Sequence, residues 1–316
     1  MTRVAAIDCG TNSIRLLVAD VPAHGPHRDM VRRMEVVRLG EGVDATGRLA
    51  PQAIERTRKV LVEYGATARD LGATAVRMVA TSATRDAGNR AEFEDMVVEV
   101  LGQRPDVVSG REEAELSFLG ATASLDTAAA ARGAEPPRPP FLVVDIGGGS
   151  TEFVLGDADG VRAARSVDVG CVRLTERHLH GDPPSAEQVR RAEDDIRAAL
   201  AEVTAEVPVA QAATLVGCAG SVTTVAAIAL ELPAYDPDAI HGSRIEVDAV
   251  RETTAYLLAA TRARRADMPV MHPGRVDVIG AGALVLRVIM DELDMDEVVV
   301  SEHDILDGIA LRLARG

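Results

Sequence analysis

A chain of 316 residues that is 47% hydrophobic has room for two ordinary domains, each with a sizeable core, and falls outside the disordered class. Its formal net charge of −15 argues against a nucleic-acid-binding surface, though not against a polyanionic substrate held locally by arginines, backbone N–H groups and metal ions. Cys9, Cys171 and Cys218 are far apart and fit buried thiols in a reducing compartment. No apolar run reaches membrane-spanning length and a core-type strand opens the chain, so a soluble, cytoplasmic protein with no membrane partner is expected.

The first element is a hairpin. An apolar strand, Val4 to Ile7, runs into Asp8, Gly10 and the hydroxyl-bearing or amide residues Thr11, Asn12 and Ser13. A second strand then places Ile14, Leu16 and Val18 on one face and Arg15 and Leu17 on the other. Residues 29–39 read as an edge strand and 40–49 as a glycine-broken loop. Pro51 opens a helix reaching Leu71, with Ile54, Val60, Leu61 and Tyr64 at helical spacing. Ala75–Ala80 is a core strand, and residues 81–89 follow its carboxyl end, where α/β proteins place their sites. Arg85, in that segment, reads either as a surface arginine near a helix end or as a phosphate clamp. A helix over 90–101, a short strand at 106–108 and a Ser109-Gly110 turn lead into a helix whose first turn holds Glu112 and Glu113. Acids there complement the helix dipole, and because neighbours on a helix point about 100° apart, only one of the two can face a given cleft.

Residues 126–140 are rich in alanine and proline and read as a flexible linker. Beyond them lies a second hairpin with the grammar of the first. The strand Leu142 to Val144 runs into Asp145, then Gly147, Gly148, Gly149, Ser150, Thr151 and Glu152, and a new strand follows. Glycines without a Cβ let backbone N–H groups close on an anion, and Ser150 and Thr151 add hydroxyls. Two acids, Asp145 and Glu152, beside a phosphate cradle call for a divalent cation, Mg²⁺ or Mn²⁺. Two such units about 140 residues apart suggest a duplicated domain, 1–132 and 133–316, with the two loops facing one cleft and the last helix packing back on the first domain; two unrelated hairpins are the alternative.

The second half continues with a strand over 163–169 and a helix entered at Gly170. Ser185 caps a helix over 186–203 whose buried stripe is Val189, Ala192, Ile196 and Leu200. The strand from Thr214 turns through Gly220 and Ser221 into a helix; small residues there admit a nucleotide or phosphate, or simply allow close packing. His241 is expected in an exposed loop before a helix over 247–258. An ordered loop over 268–276, a helix from Ile279, a strand at 297–301 and a helix over 304–313 complete the chain.

Taken in order, Ile7-Asp-Cys-Gly-Thr-Asn-Ser, Ser109-Gly-Arg-Glu-Glu-Ala, Val144-Asp-Ile-Gly-Gly-Gly-Ser-Thr-Glu, Gly170-Cys-Val-Arg-Leu, Ala219-Gly-Ser and Asp277-Val-Ile-Gly-Ala-Gly resemble the exopolyphosphatase and guanosine pentaphosphate phosphohydrolase family across essentially the whole chain. The Ser-Gly-x-Glu-Glu-Ala segment separates this family from sugar kinases, actin and heat-shock chaperones, which share the glycine loops. The resemblance implies an α/β, duplicated actin-like ATPase (ribonuclease H-like) fold and metal-dependent hydrolysis of the terminal phosphoanhydride of inorganic polyphosphate. It implies Glu113 as general base, Asp145 and Glu152 as metal-associated acids, and Thr11, Asn12, Ser13, Arg85, Gly147, Gly148 and Ser150 around the phosphates. The first loop departs from the family pattern at Cys9 and Thr11. The long C-terminal helical extension of larger members is missing, so short polyphosphates are the expected substrate. Guanosine pentaphosphate is the alternative substrate, a nucleotide or alarmone a further ligand, and a homodimer the expected assembly. Two other classes compete, a non-catalytic actin-like nucleotide-binding module and a kinase; phosphate release without an acceptor distinguishes them from a hydrolase.

Overall fold

A computed structural model describes residues 1–22 and 27–315 and divides into two units, Met1–Ala123 with Asp304–Gly316, and Ser124–His303. In the first unit β1 (Thr2–Cys9) and β2 (Ser13–Val21) form the expected hairpin, and β3 (Arg28–Val36) extends it antiparallel at the edge. There follow α1 (Val43–Thr46), α2 (Pro51–Asp70), β4 (Ala75–Ala80), α3 (Ser82–Asp86), α4 (Arg90–Leu101), β5 (Asp106–Val107) and α5 (Gly110–Thr122). β4 pairs parallel with β1, and β5 parallel with β4, so the five-stranded sheet runs β3-β2-β1-β4-β5. The central hairpin reads as a nearly unbroken apolar run because both of its faces are covered. Ala5, Ile7, Ile14, Leu16 and Val18 pack with Leu61, Tyr64, Phe93 and Val97 on one side, and the alternate residues Val4, Ala6, Leu17 and Ala19 pack with Leu116, Ile305 and Ile309 on the other.

The second unit contains α6 (Leu125–Ala131), β6 (Phe141–Ile146), β7 (Thr151–Asp157), β8 (Gly160–Val167), α7 (Cys171–Arg177), α8 (Ala186–Glu206), β9 (Thr214–Cys218), α9 (Ala219–Ala229) and α10 (Pro237–Ile240). After these come β10 (Arg244–Glu246), α11 (Val247–Ala259), α12 (Arg262–Ala266), α13 (Ile279–Glu292) and β11 (Glu297–Val300). Its six-stranded sheet runs β10-β11-β9-β6-β7-β8. Omit the short antiparallel strand β10 and the order matches the first sheet, strand for strand. Even the β-bulge recurs at one offset from the turn, between Val18 and Ala19 in one sheet and Leu155 and Gly156 in the other. The fold is therefore the duplicated, actin-like α/β architecture. Ser185 closes a full capping box with Gln188 at the start of α8, as its place before the apolar stripe requires.

The last helix, α14 (Ile305–Arg315), belongs to the first unit. It meets α5 backbone to backbone. A Cβ added to Gly120 would stand 1.7 Å from the Asp304 carbonyl oxygen, and one on Gly308 1.9 Å from that of Leu116. Two expectations change. Part of the supposed linker is helix α6, because an alanine run has the highest helix propensity, and Arg132 ties its end to the carbonyls of His241 at 2.9 Å and Asp238 at 3.0 Å. His241 is half-buried, not exposed, and its Nε2 lies 3.0 Å from Ser124 Oγ. All three cysteines are buried free thiols, and no helix among the described residues is long and apolar enough to cross a membrane.

Candidate active site

The turn between β1 and β2 is closed by the Gly10 N–H donating to the Ser13 carbonyl at 3.0 Å. Its carbonyls are then spent on the segment after β3. Thr11 C=O accepts from Gly40 N–H at 2.8 Å, and Asn12 C=O accepts from Val37 and Arg38 N–H at 3.1 and 2.8 Å. A planar trans peptide points its N–H opposite its C=O, so the N–H groups of Asn12 and Ser13 face away from that segment. Thr11 is further fixed by a 2.9 Å hydrogen bond between its Oγ1 and Ser82 Oγ.

The turn between β6 and β7 repeats this design. Gly147 N–H donates to Ser150 C=O at 3.1 Å, and a Cβ on Gly147 would crowd that oxygen at 3.0 Å. Here the carbonyls go to the start of α7. Gly147 C=O accepts from Cys171 N–H at 3.0 Å, Gly148 C=O from Val172 and Arg173 N–H at 2.8 and 3.1 Å, and Gly149 C=O from Arg173 Nε at 2.7 Å. By the same planarity the N–H groups of Gly148, Gly149 and Ser150 point to the opposite side, away from α7.

On α5, Ser109 caps the helix by accepting from Glu112 N–H at 3.2 Å, and the two acids that follow diverge as helix geometry demands. Glu112 reaches outward to Arg77 at 2.9 Å. Glu113 is buried and accepts from Arg85 NH1 at 2.8 Å, while the same nitrogen also donates to Val108 C=O at 3.1 Å. α3 and α5 thus bring Arg85 and Glu113 together within the first unit.

The acids at the strand ends differ between the hairpins. In β6–β7, Asp145 and Glu152 are direct cross-strand partners, both buried, with Glu152 Oε1 accepting from Ser166 Oγ at 2.7 Å. In β1–β2 the corresponding partners are Asp8 and Arg15. Arg15 donates from Nε and NH2 to Asp8 Oδ2 at 3.0 and 2.7 Å and from NH1 to Asp304. Burial pushes the Asp8 carboxyl up, Arg15 offsets part of the rise, and Asp304 adds to it.

A family profile of the Ppx/GppA phosphatases matches residues 17–315. The chain belongs to the Ppx/GppA phosphatase family. It is 51% identical to exopolyphosphatase 2 of Mycobacterium tuberculosis over 99% of both chains. Among solved structures it resembles an exopolyphosphatase-like protein with a TM-score of 0.92 and 40% identity over 99% of both chains, and the Aquifex aeolicus Ppx/GppA family member with a TM-score of 0.82 and 30% identity over 99% of this chain and 98% of that one.

For a Ppx/GppA protein a divalent cation is implied, and the donor set fits one. Within the second unit Asp145 and Glu152 offer hard carboxylate oxygens on one face of a hairpin; within the first, separately, Asp8 Oδ1 is buried with no hydrogen-bond partner among the described residues. Asp8 was not singled out from the sequence, although its place in the repeated hairpin carried the signal. Arg275 was missed as well. Its guanidinium lies against Gly220, where a Cβ would stand 2.4 Å from Cζ, and it donates to Thr224 Oγ1 at 3.1 Å. Gly220 thus leaves room for the Arg275 guanidinium beside the β9–α9 turn.

Proposed function

We propose that this Ppx/GppA family member is an exopolyphosphatase that hydrolyses the terminal phosphoanhydride of inorganic polyphosphate and releases orthophosphate. The observation that carries the reading is Glu113, a buried carboxylate on the first turn of α5 held at 2.8 Å by Arg85 while its neighbour Glu112 turns outward. Similarity to an exopolyphosphatase over the whole chain supports it.

In this reading Glu113 orients a water and accepts its proton as the water oxygen bonds to the terminal phosphorus. The bridging oxygen departs with the shortened chain. Such a base contributes about 10²- to 10⁴-fold. The greater part of catalysis in this reading comes from backbone N–H donors that each turn offers to phosphoryl oxygens, Asn12 and Ser13 in the first unit and Gly148, Gly149 and Ser150 in the second, with Thr11 and Gly147 shaping the turns and Arg85 holding the base. Asp145 and Glu152 would hold Mg²⁺ or Mn²⁺, which when bound offsets phosphate charge. We place the protein in the cytoplasm as a homodimer, consistent with its free thiols and with the base rate for oligomers.

Phosphate release from short and long polyphosphate, with Mg²⁺ and with EDTA and with no acceptor present, tests the reading. Metal-dependent release that favours short chains and exceeds release from guanosine pentaphosphate is expected. Faster release from guanosine pentaphosphate would make that the substrate, and no release from either would leave a nucleotide-binding module.

A further inference from the structure

We propose that Asp304 is a positioning residue for Asp8. Through Arg15 it holds the Asp8 carboxylate so that Oδ1 is kept for a hydrated divalent cation. The inference rests on the exopolyphosphatase reading only in assigning that cation a use.

Three observations converge. Asp304 is buried and fixed at both carboxylate oxygens: Oδ1 accepts from Leu306 N–H at 3.0 Å as a helix cap, and Oδ2 accepts from Arg15 NH1. Its own N–H donates to Asp307 Oδ2 at 3.1 Å, so the cap is reciprocal. Arg15, anchored this way, places both Nε and NH2 on one oxygen of Asp8, Oδ2. Asp8 Oδ1 is left buried with no hydrogen-bond partner among the described residues.

A buried carboxylate oxygen without a donor is costly, and most such atoms in native proteins are met by protein, water or an ion. Here the arginine that could have bridged both oxygens is drawn to one side by Asp304. Two carboxylates share one guanidinium, so the cluster keeps one negative charge, and a cation or its hydration water is the partner that supplies what Oδ1 lacks.

Mn²⁺ binding, followed by electron paramagnetic resonance on the whole protein without polyphosphate, separates this proposal from the function reading. Asp304→Asn keeps a competent helix cap but removes the charge that draws Arg15. Substitutions behind a metal ligand typically weaken metal binding about 10- to 100-fold, and that weakening is expected for Asp304→Asn and, at least equally, for Asp8→Asn. Asp304→Glu should recover part of the loss. Unchanged Mn²⁺ affinity in Asp304→Asn, with or without a fall in melting temperature, would reduce Asp304 to a structural role and overturn the proposal, as would unchanged affinity in Asp8→Asn. If Asp304→Asn did not fold, Asp8→Asn and Asp304→Glu would carry the same decision. Absence of phosphatase activity, by contrast, would refute the function reading and leave these affinities interpretable.

Discussion

The two hairpins share a turn, a register and a bulge, yet their strand ends carry opposite electrostatics. Asp8 faces Arg15, whereas Asp145 faces Glu152. The first hairpin pairs its acid with an arginine that a second acid, on the approach to α14, also holds. The second sets like charges across the ladder, an arrangement that destabilises a sheet unless something compensates. A duplicated scaffold has thus been divided: the first copy ties one oxygen of its acid to an arginine and leaves the other unpartnered among the described residues, whereas the second sets two carboxylates side by side.

Substitution at the equivalent positions should therefore give unequal results. Removing Arg15 (Arg15→Gln) leaves Asp8 and Asp304 buried without their shared cation, and urea denaturation should report a loss of about 3 kcal/mol or more. A loss below about 1 kcal/mol would mean that the first hairpin does not depend on this pairing.

Gly308→Ala comes next in size. Its new Cβ would press on the Leu116 carbonyl, and overpacking of backbone on backbone costs about 1–3 kcal/mol. Because α14 packs on β1 and β2, hydrogen exchange should speed up there and not at β6 and β7. Equal acceleration in both hairpins would contradict the division.

Glu152→Gln, by contrast, relieves the cross-strand repulsion. The metal-free protein should hold its melting temperature or gain up to about 1 kcal/mol of stability, and its thermal stabilisation by Mg²⁺ should vanish. Retained Mg²⁺ stabilisation would remove Glu152 from the metal set.

The smallest effect concerns pH. Burial pushes His27 down, but Asp29 and Asp307 more than offset it and raise it to about 9. With the folded value above the ordinary one near 6.5, His27 contributes stability that is fully present below about pH 6.5 and is lost as pH rises through 9. A His27→Gln variant should lack that decline in melting temperature between pH 6.5 and 9.5; an identical decline would assign it to other groups.

Much of this was legible in the sequence because local patterns carry it. β4 and α4 begin and end where their apolar periodicity does, and the divergence of Glu112 from Glu113 follows from helix geometry alone. The repeated strand-Asp-Gly turn announced the duplication. What was not legible depends on distance along the chain. Arg15 meets Asp304 and Arg32 meets Asp307 where α14 returns to the first sheet; that return was expected, but no local pattern encodes these pairs. The alanine run at 128–131 misled for a different reason: neighbouring prolines suggested a linker, while packing and the Arg132 bonds favoured a helix. Asp8 was read as part of the first turn and not as a cation ligand; the repeat placed it, but its orphaned oxygen results from which side Arg15 approaches.

The most direct test of the account compares Glu113→Gln with Glu112→Gln, measuring Mg²⁺-dependent phosphate release from polyphosphate alongside the wild type. Glu113→Gln should bind polyphosphate but lose about 10²- to 10⁴-fold in turnover, while Glu112→Gln stays within a few-fold of the wild type. Near wild-type turnover in Glu113→Gln with a collapse in Glu112→Gln would contradict it.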